Sequence, residues 1–545
     1  MSDSKQQTVV DYHDRTKHRM DGYAKGPDTL DWDAQPDPFR RFDGAERVDL
    51  PLLANQLTVP YAALSSEQAI AAQPMGFSSV ATLLEISVAL SAWKQYGTAR
   101  WSLRVNPSSG NLHPTETYLI AIAVEGLQDG VYHYRADEHA LELRCRFGDV
   151  DASEPELYIS FSSVHWREAW KYGERAFRYC QHDVGHAMAA ISYGAATLGW
   201  NVVPQTLWGD DGLAKLLGVD RETDFGKAER EHPDLLLKIG LSGRSTSGSP
   251  AMLLSLAQSG QWHGKANVLD PKHLYRWPVI DEVTEASHRP ENAAAESPSL
   301  ESHSLENNAE PAPDKMIPTA CSEAASKLLR RRRSAQSFDG ATVMSRESFT
   351  RCLDQLQSRP QYAPWDTLPW NPRIHLVLFI HRVEGIAPGL YALPRSEHGQ
   401  ALMRDHMRPE FLWQPVVDLP DSIPLQQLIL AKAERTIAKL SCQQAIAGDS
   451  CFSLAMLAEF EPTLQDAPWR YRELFWEAGA VGQTLYLEAE AAGLRGTGIG
   501  CYFDDPVHQL LGLANKTLQS VYHFTVGGPL VDHRITTLPP YSGKA

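Results

Sequence analysis

Apolar and polar positions along this chain follow a fixed succession of periods, and the succession occurs twice. In the first half an apolar stretch from Ser79 to Tyr96 reads as a helix and Thr117 to Val124 as a β-rich run. Arg175 to Leu198 then reads as a long amphipathic helix, and Leu235 to Ile239 as a short strand closed by Gly240. The second half answers with His375 to Ile380, Leu474 to Ala492, and Val521 to Val526 closed by Gly527 and Gly528. Helices and strands mixed in this order predict an α+β layer fold.

Residue identities follow the same division. Val124-Glu125-Gly126, Gly130, Tyr132 and Glu138-His139 return as Val383-Glu384-Gly385, Gly389, Tyr391 and Glu397-His398, at a constant separation of 259 residues (124 to 383). Residues 183–219 align without a gap to 477–513, a separation of 294 (183 to 477). They share Gly185/Gly479, Ala195/Ala489, Gly199/Gly493, Asp210-Asp211/Asp504-Asp505 and Leu216-Leu217-Gly218/Leu510-Leu511-Gly512. Repeats this long are duplicated domains, because solenoid units run about 20 to 50 residues.

Between the copies, residues 282–317 are rich in Glu, Ala, Ser, Pro and Asn and almost free of large apolar side chains. Such a segment buries too little to offset its ordering entropy and is predicted to be a disordered tether. The expected division is an N-terminal extension 1–35, a first domain 36–281, the tether 282–317 and a second domain 318–545. A flexible tether holds its two ends at an effective concentration on the order of mM, which predicts an intramolecular pseudo-dimer. If the ancestor was a homodimer with sites at its interface, duplication frees one of the two sites to decay.

Composition acts mainly by exclusion. The net charge of −16 opposes association with nucleic-acid phosphates and anionic membrane surfaces. The start, MSDSKQQTVV, has no apolar core of the secretory kind, and no run of about 18 apolar residues follows, so a soluble, cytoplasmic protein is expected. Seven scattered cysteines without a C-x-x-C indicate neither a disulfide framework nor a cysteine zinc site, and no metal is expected.

Three segments carry candidate chemistry. Arg330-Arg331-Arg332-Arg333-Ser334-Ala335-Gln336-Ser337-Phe338 is the densest positive charge, and planar guanidinium groups with a neighbouring hydroxyl suit a phosphate. Arg104 to Pro114 holds Pro107-Ser108-Ser109-Gly110-Asn111, a turn with short polar side chains able to face a ligand. Gly496-Thr497-Gly498-Ile499-Gly500-Cys501 would let backbone amides approach a flat or anionic ligand; Cys501 breaks the dinucleotide pattern G-x-G-x-x-G.

Together these segments resemble the nitroreductase-like FMN-dependent superfamily, most closely its SagB/ThcOx-type dehydrogenase branch. Arg332, Arg333, Ser334, Gln336 and Phe338 resemble the family's R-R-S-x-R-x-F, with Gln336 in place of a basic residue. Pro107, Ser108, Ser109 and Asn111 are similar to its P-S-S-x-N loop, Gly498-Ile499-Gly500 to its late glycine-rich turn, and Arg534 to its C-terminal basic residue. The resemblance implies two tandem nitroreductase-like FMN-fold domains. It also implies FMN held between them, with the P-S-S-x-N loop coming from one side and the other motifs from the opposite side.

Carried through the repeat, the R-R-S positions fall on Pro36, Asp37 and Pro38, and the glycine turn on Pro204-Gln205-Thr206. The P-S-S-x-N positions fall on Asp366 to Trp370. All three losses belong to one notional second site, so one composite FMN site per chain is expected.

The resemblance further implies hydride transfer through flavin, with Lys171 and Tyr172 matching a Lys-Tyr pair assigned to proton removal in azoline-oxidising members. A lysine beside a tyrosine can favour the phenolate. Trp469 and Tyr471 repeat the Trp-x-Tyr spacing with Arg470 between, which leaves a packing role open. His182 and His186 at i and i+4 allow a zinc pair, although Asp183 replaces the glutamate of H-E-x-x-H.

The leading expectation is an FMN-dependent oxidoreductase acting on a small or peptide-borne substrate. An NAD(P)H-dependent reductase of nitro-aromatics or quinones would instead bleach its flavin with NAD(P)H alone. A non-catalytic flavin-binding or scaffold partner in a peptide-modifying complex would be colourless or inert.

Overall fold

The protein is described by a computed structural model covering residues 2–542, apart from 67–68, 149, 151, 153, 242–249, 292, 294–315, 320 and 466. Helix α1 (Ser2–Arg15) is followed by α2 (Phe77–Ser87). The apolar stretch predicted as one helix to Tyr96 changes state. Leu90–Tyr96 is strand β1, which turns at Gly97 (φ 57°) into β2 (Ala99–Arg104). Alternating burial explains the break: Leu90 and Ala92 are buried while Ser91 and Trp93 are only half-buried, a period of two that a helix cannot satisfy.

The first copy then runs through β3 (Thr115–Ile122), β4 (Gly130–Arg135), β5 (Ala140–Arg146), β6 (Glu156–Ser163), α3 (His165–Tyr172), α4 (Ala176–Thr197), β7 (Trp200–Pro204), α5 (Asp210–Leu217) and β8 (His232–Leu241). Its sheet is antiparallel with central order β5-β4-β3-β6-β8-β7.

Helix α6 (Pro278–Ala286) precedes the second copy. That copy comprises α7 (Ala325–Arg331), β9 (Ile374–Ile380), β10 (Gly389–Leu393), β11 (Gln426–Leu430), α8 (Glu434–Leu440), β12 (Phe452–Glu459), α9 (Tyr471–Ala491), β13 (Arg495–Ile499), α10 (Asp504–Leu511), β14 (Leu518–Gly527) and β15 (Thr536–Leu538). Its order, β11-β10-β9-β12-β14-β13, matches the first sheet strand for strand. The fold is α+β, two tandem domains of matching topology forming an intramolecular pseudo-dimer.

The two copies meet where α4 crosses α9, at the repeat-related pair Gly185 and Gly479. A Cβ on Gly185 would lie 2.2 Å from the Trp476 carbonyl oxygen, and one on Gly479 2.4 Å from that of His182. Backbone lies against backbone, so glycine at both positions permits the close crossing that buries both helices along nearly their whole length.

The ends of the chain clasp the opposite copy. Strand β15 pairs with β1, and the Tyr541 hydroxyl donates to the Ala136 carbonyl at 2.7 Å. Tyr12 of α1 is buried against Phe177 and Tyr471, one from each copy.

The expected start of the tether at residue 282 falls inside α6, where Val279, Ile280, Val283 and Ala286 form a buried stripe at helical spacing. Glu291 then accepts hydrogen bonds from the backbone amides of Gly209 and Gly212 at 3.0 and 2.7 Å. The chain stays on the first copy that far, and most of the predicted tether lies outside the described residues. Among the described residues, no helix is long and apolar enough to cross a membrane.

Candidate active site

Between the copies lies a cavity of about 470 Å³ whose wall brings together the three segments singled out from sequence. The first copy contributes the loop after β2. Gly110, Asn111 and His113 all have positive φ (56°, 60° and 54°), a conformation that side chains other than glycine adopt at a cost. The loop is held by hydrogen bonds: Ser109 donates to Asp183 through its amide and hydroxyl, both at 3.0 Å, and His113 N–H donates to Ser108 Oγ at 2.8 Å. Asn111 Nδ2 donates to the Ser102 carbonyl at 2.7 Å. Gly110 is required here, because a Cβ would lie 2.4 Å from the Tyr172 hydroxyl.

The second copy supplies a cationic pole. Arg332 donates to the carbonyls of Val105 and Arg104 at 3.0 and 3.1 Å, and its guanidinium lies 5.0 Å from the Tyr486 ring centroid. Arg333 reaches the Ser91 carbonyl at 3.0 Å. Among the described residues neither guanidinium has a carboxylate within ion-pair distance. Burial accordingly pulls both below the usual arginine range, Arg333 to about 10 with the Arg332 charge as a further cause.

Lys94 also lines this pole, lowered by burial and then by the charges of Arg333 and Arg495. Crowded, desolvated cations of this kind are stabilised by an anion.

Glycines 498 and 500 make room for the protein's own rings. A Cβ on Gly498 would lie 1.9 Å from the Tyr522 hydroxyl, and one on Gly500 2.2 Å from Tyr179 Cε1. With Asp183 and His186 these tyrosines form the opposite pole. Burial lifts the Asp183 carboxyl to about 7, against the lowering effect of Ser108 and Ser109. Burial also pushes the Tyr172 phenol well above its usual value, with Glu168 adding to the rise. The Lys171 ammonium lies 5.3 Å from the Tyr172 ring.

Of the residues named from sequence, Pro107, Ser108, Ser109, Asn111, Tyr172, Arg332, Arg333, Ser334, Gln336, Gly498, Ile499 and Gly500 line the cavity. Lys171 stands behind it against the Trp32 and Tyr172 rings. Arg534 is exposed and pairs with Asp532 at 2.8 Å. His182 stacks on Tyr522 and His186 Nε2 meets the Tyr522 hydroxyl at 3.1 Å. Sequence reasoning missed Lys94, Arg495, Tyr179 and Tyr522 and weighed Asp183 only beside a zinc pair; each is brought in by a strand or helix.

Residues 329–528 match the model of the nitroreductase family. A protein of Methanocaldococcus jannaschii, provisionally named a nitroreductase, is 28% identical over 176 residues, spanning 30% of this chain and 82% of its own length. A solved structure from Anabaena variabilis, likewise provisionally named a nitroreductase, covers 96% of this chain and 99% of its own. Its identity is 18% and its TM-score 0.62, so the shared fold extends over both copies.

Residues of the second copy match the nitroreductase family, and both copies share the fold of the Anabaena protein. In this pseudo-dimer the repeat-related counterpart of the cavity measures only about 30 Å³. Its wall includes Pro204, Gln205 and Thr206, where the other side has the glycine turn, and Thr367, Pro369 and Trp370, where the other side has the serine loop. Trp208 and Trp476 fill space beside them, and Arg472 of α9 pairs with Asp210 at 2.9 Å.

Proposed function

We propose that the large cavity is an FMN site and that the protein is an FMN-dependent dehydrogenase of the SagB/ThcOx type. The observation that carries this reading is the pair of guanidiniums facing the cavity, of buried Arg332 and half-buried Arg333, neither with a carboxylate at ion-pair distance among the described residues. A phosphate monoester supplies the missing charge and takes bidentate hydrogen bonds. FMN, when bound, supplies a two-electron hydride acceptor.

The protein's own groups bind, orient and move protons. Arg332, Arg333 and Ser334 hold the phosphate end, with Lys94 and Arg495 adding positive field. The serine loop closes the site from the other copy. Asp183, lifted to about 7 by burial, is suited to take a substrate proton at its carboxylate, and the Tyr172 hydroxyl to donate a hydrogen bond to the substrate.

The absorption spectrum of the purified protein, followed during addition of an azoline-containing peptide and separately of NAD(P)H, tests the reading. A flavin spectrum bleached by the heterocycle supports it. A flavin bleached only by NAD(P)H identifies a nitro or quinone reductase, and a colourless protein that FMN cannot reconstitute identifies a non-catalytic partner.

A further inference from the structure

Cys501 immediately follows the glycine turn and lines the cavity. Opposite it, in the turn that leaves α8, Cys442 and Gln443 both adopt left-handed backbone (φ 52° and 61°). Two hydrogen bonds tie these segments together. Phe503 N–H donates to the Leu440 carbonyl at 2.8 Å, and Gln444 Nε2 donates to the Cys501 carbonyl at 3.0 Å. The first pairs residue 440 with 503 and so sets Cys442 opposite Cys501, and both cysteines are free and half-buried.

A third segment completes the cluster. His18 Nδ1 accepts from the Ala24 amide at 3.0 Å, which leaves the ring proton on Nε2 as a donor toward Cys501. Arg175 adds positive charge from α4's leading turn, while the nearby Asp504 is already bound by Arg175 and Arg178 at 3.0 and 2.9 Å. Tyr23 packs over His18 and Phe503 at the outer edge.

We propose that Cys442 and Cys501 are a redox-active dithiol at the cavity wall that exchanges with low-molecular-weight disulfides and closes to an intramolecular disulfide. The Cys501 thiolate attacks one sulfur of the incoming disulfide, forming a mixed disulfide and releasing a thiolate. That thiolate takes the Cys442 proton. Cys442 sulfur then attacks Cys501 Sγ, releasing the second thiolate and forming the Cys442–Cys501 bond. Two electrons pass from the cysteine pair to the small disulfide, which leaves as one thiol and one thiolate.

Electrostatics agree with this division of roles. The Cys442 donor first, then His18, bring Cys501 down to about 5 against its burial, while Cys442 is driven up. Burial instead raises Cys145, Cys180, Cys352 and Cys451.

The inference does not rest on the cofactor reading, and its test can be read in a colourless protein. Full-length reduced protein is treated with iodoacetamide at pH 6 and the cysteines are followed by peptide mass spectrometry. Cys501 is expected to react about tenfold faster than half-buried Cys321, a large thiolate advantage partly offset by the weaker nucleophilicity of a low-pKa thiolate. Oxidised glutathione should then yield a linked Cys442–Cys501 peptide. Cys442→Ser should trap one glutathionyl group on Cys501, and Cys501→Ser should leave Cys442 unmodified over the same time. Equal alkylation of Cys501 and Cys321, or absence of the linked peptide in the wild-type protein, overturns the proposal.

Discussion

Replacing Asp183 by Asn should stabilise the protein, and the gain should grow with pH. The Asp183 carboxyl is 2% exposed, and burial lifts it from an ordinary 3.8 to about 7. Between these values the folded state holds a proton that the unfolded state has released. Stability from this group is therefore fully present below pH 3.8, falls as pH rises to 7, and is flat above.

Linkage puts the whole loss at about 4 kcal/mol and the part between pH 5 and pH 8 at roughly 2.5 kcal/mol. Asn stays neutral throughout and retains an acceptor oxygen for the Ser109 amide. Its packing cost is independent of pH and cancels in the difference between the two pH values. Urea unfolding of wild-type protein and Asp183→Asn at pH 5 and pH 8 measures that difference. A variant whose relative stability is the same at both values would refute the argument that Asp183 is a desolvated, near-neutral carboxyl.

Three further outcomes follow from the same geometry. Arg332→Gln and Arg333→Gln should each weaken FMN binding about 10- to 100-fold in a fluorescence titration, the value of a charge-assisted hydrogen bond of about 1.5–3 kcal/mol. Unchanged affinity would remove both from the phosphate site. Gly479→Ala places a methyl 2.4 Å from a backbone oxygen. Because the obstacle is backbone, overpacking falls in the upper part of its range, about 2–3 kcal/mol, and less about 1 kcal/mol of helix propensity predicts a net loss of roughly 1–2 kcal/mol in urea unfolding. A neutral result would mean the helix crossing is looser than it stands here. Tyr172→Phe should lower turnover at least about 100-fold while flavin is retained, and undiminished turnover would reject its role.

The repeated sheets were legible because strand periodicity and residue identity travel together. The separation of 259 spans β3–β4 against β9–β10, and 294 spans α4–α5 against α9–α10. The Gly185/Gly479 match was visible as identity, but its meaning as a helix crossing was not, since only tertiary structure sets one backbone against another.

The misread helix at Ser79–Tyr96 shows the limit of apolar content without period, for β1 carries the alternating burial of a strand beside a true helix. Tether composition hid the four-residue apolar stripe of α6. In the site, the motif residues were legible as local strings. Asp183, Lys94 and Arg495 were not, because an isolated charge carries no signal until the fold removes its water and chooses its neighbours. The glycine turn was found for a different reason than the one that requires it: its missing side chains accommodate Tyr522 and Tyr179.

Two repeat-related cavities of unequal size, about 470 Å³ and about 30 Å³, lie between the copies, and one composite FMN site per chain is the reading they support. Its most direct test is the ratio of FMN released on denaturation to protein chain, measured on FMN-saturated wild-type protein and on the Arg332→Gln/Arg333→Gln double variant. The account predicts a ratio of about one, lost in the double variant. A ratio near two, or a single FMN that survives loss of both arginines, would contradict it.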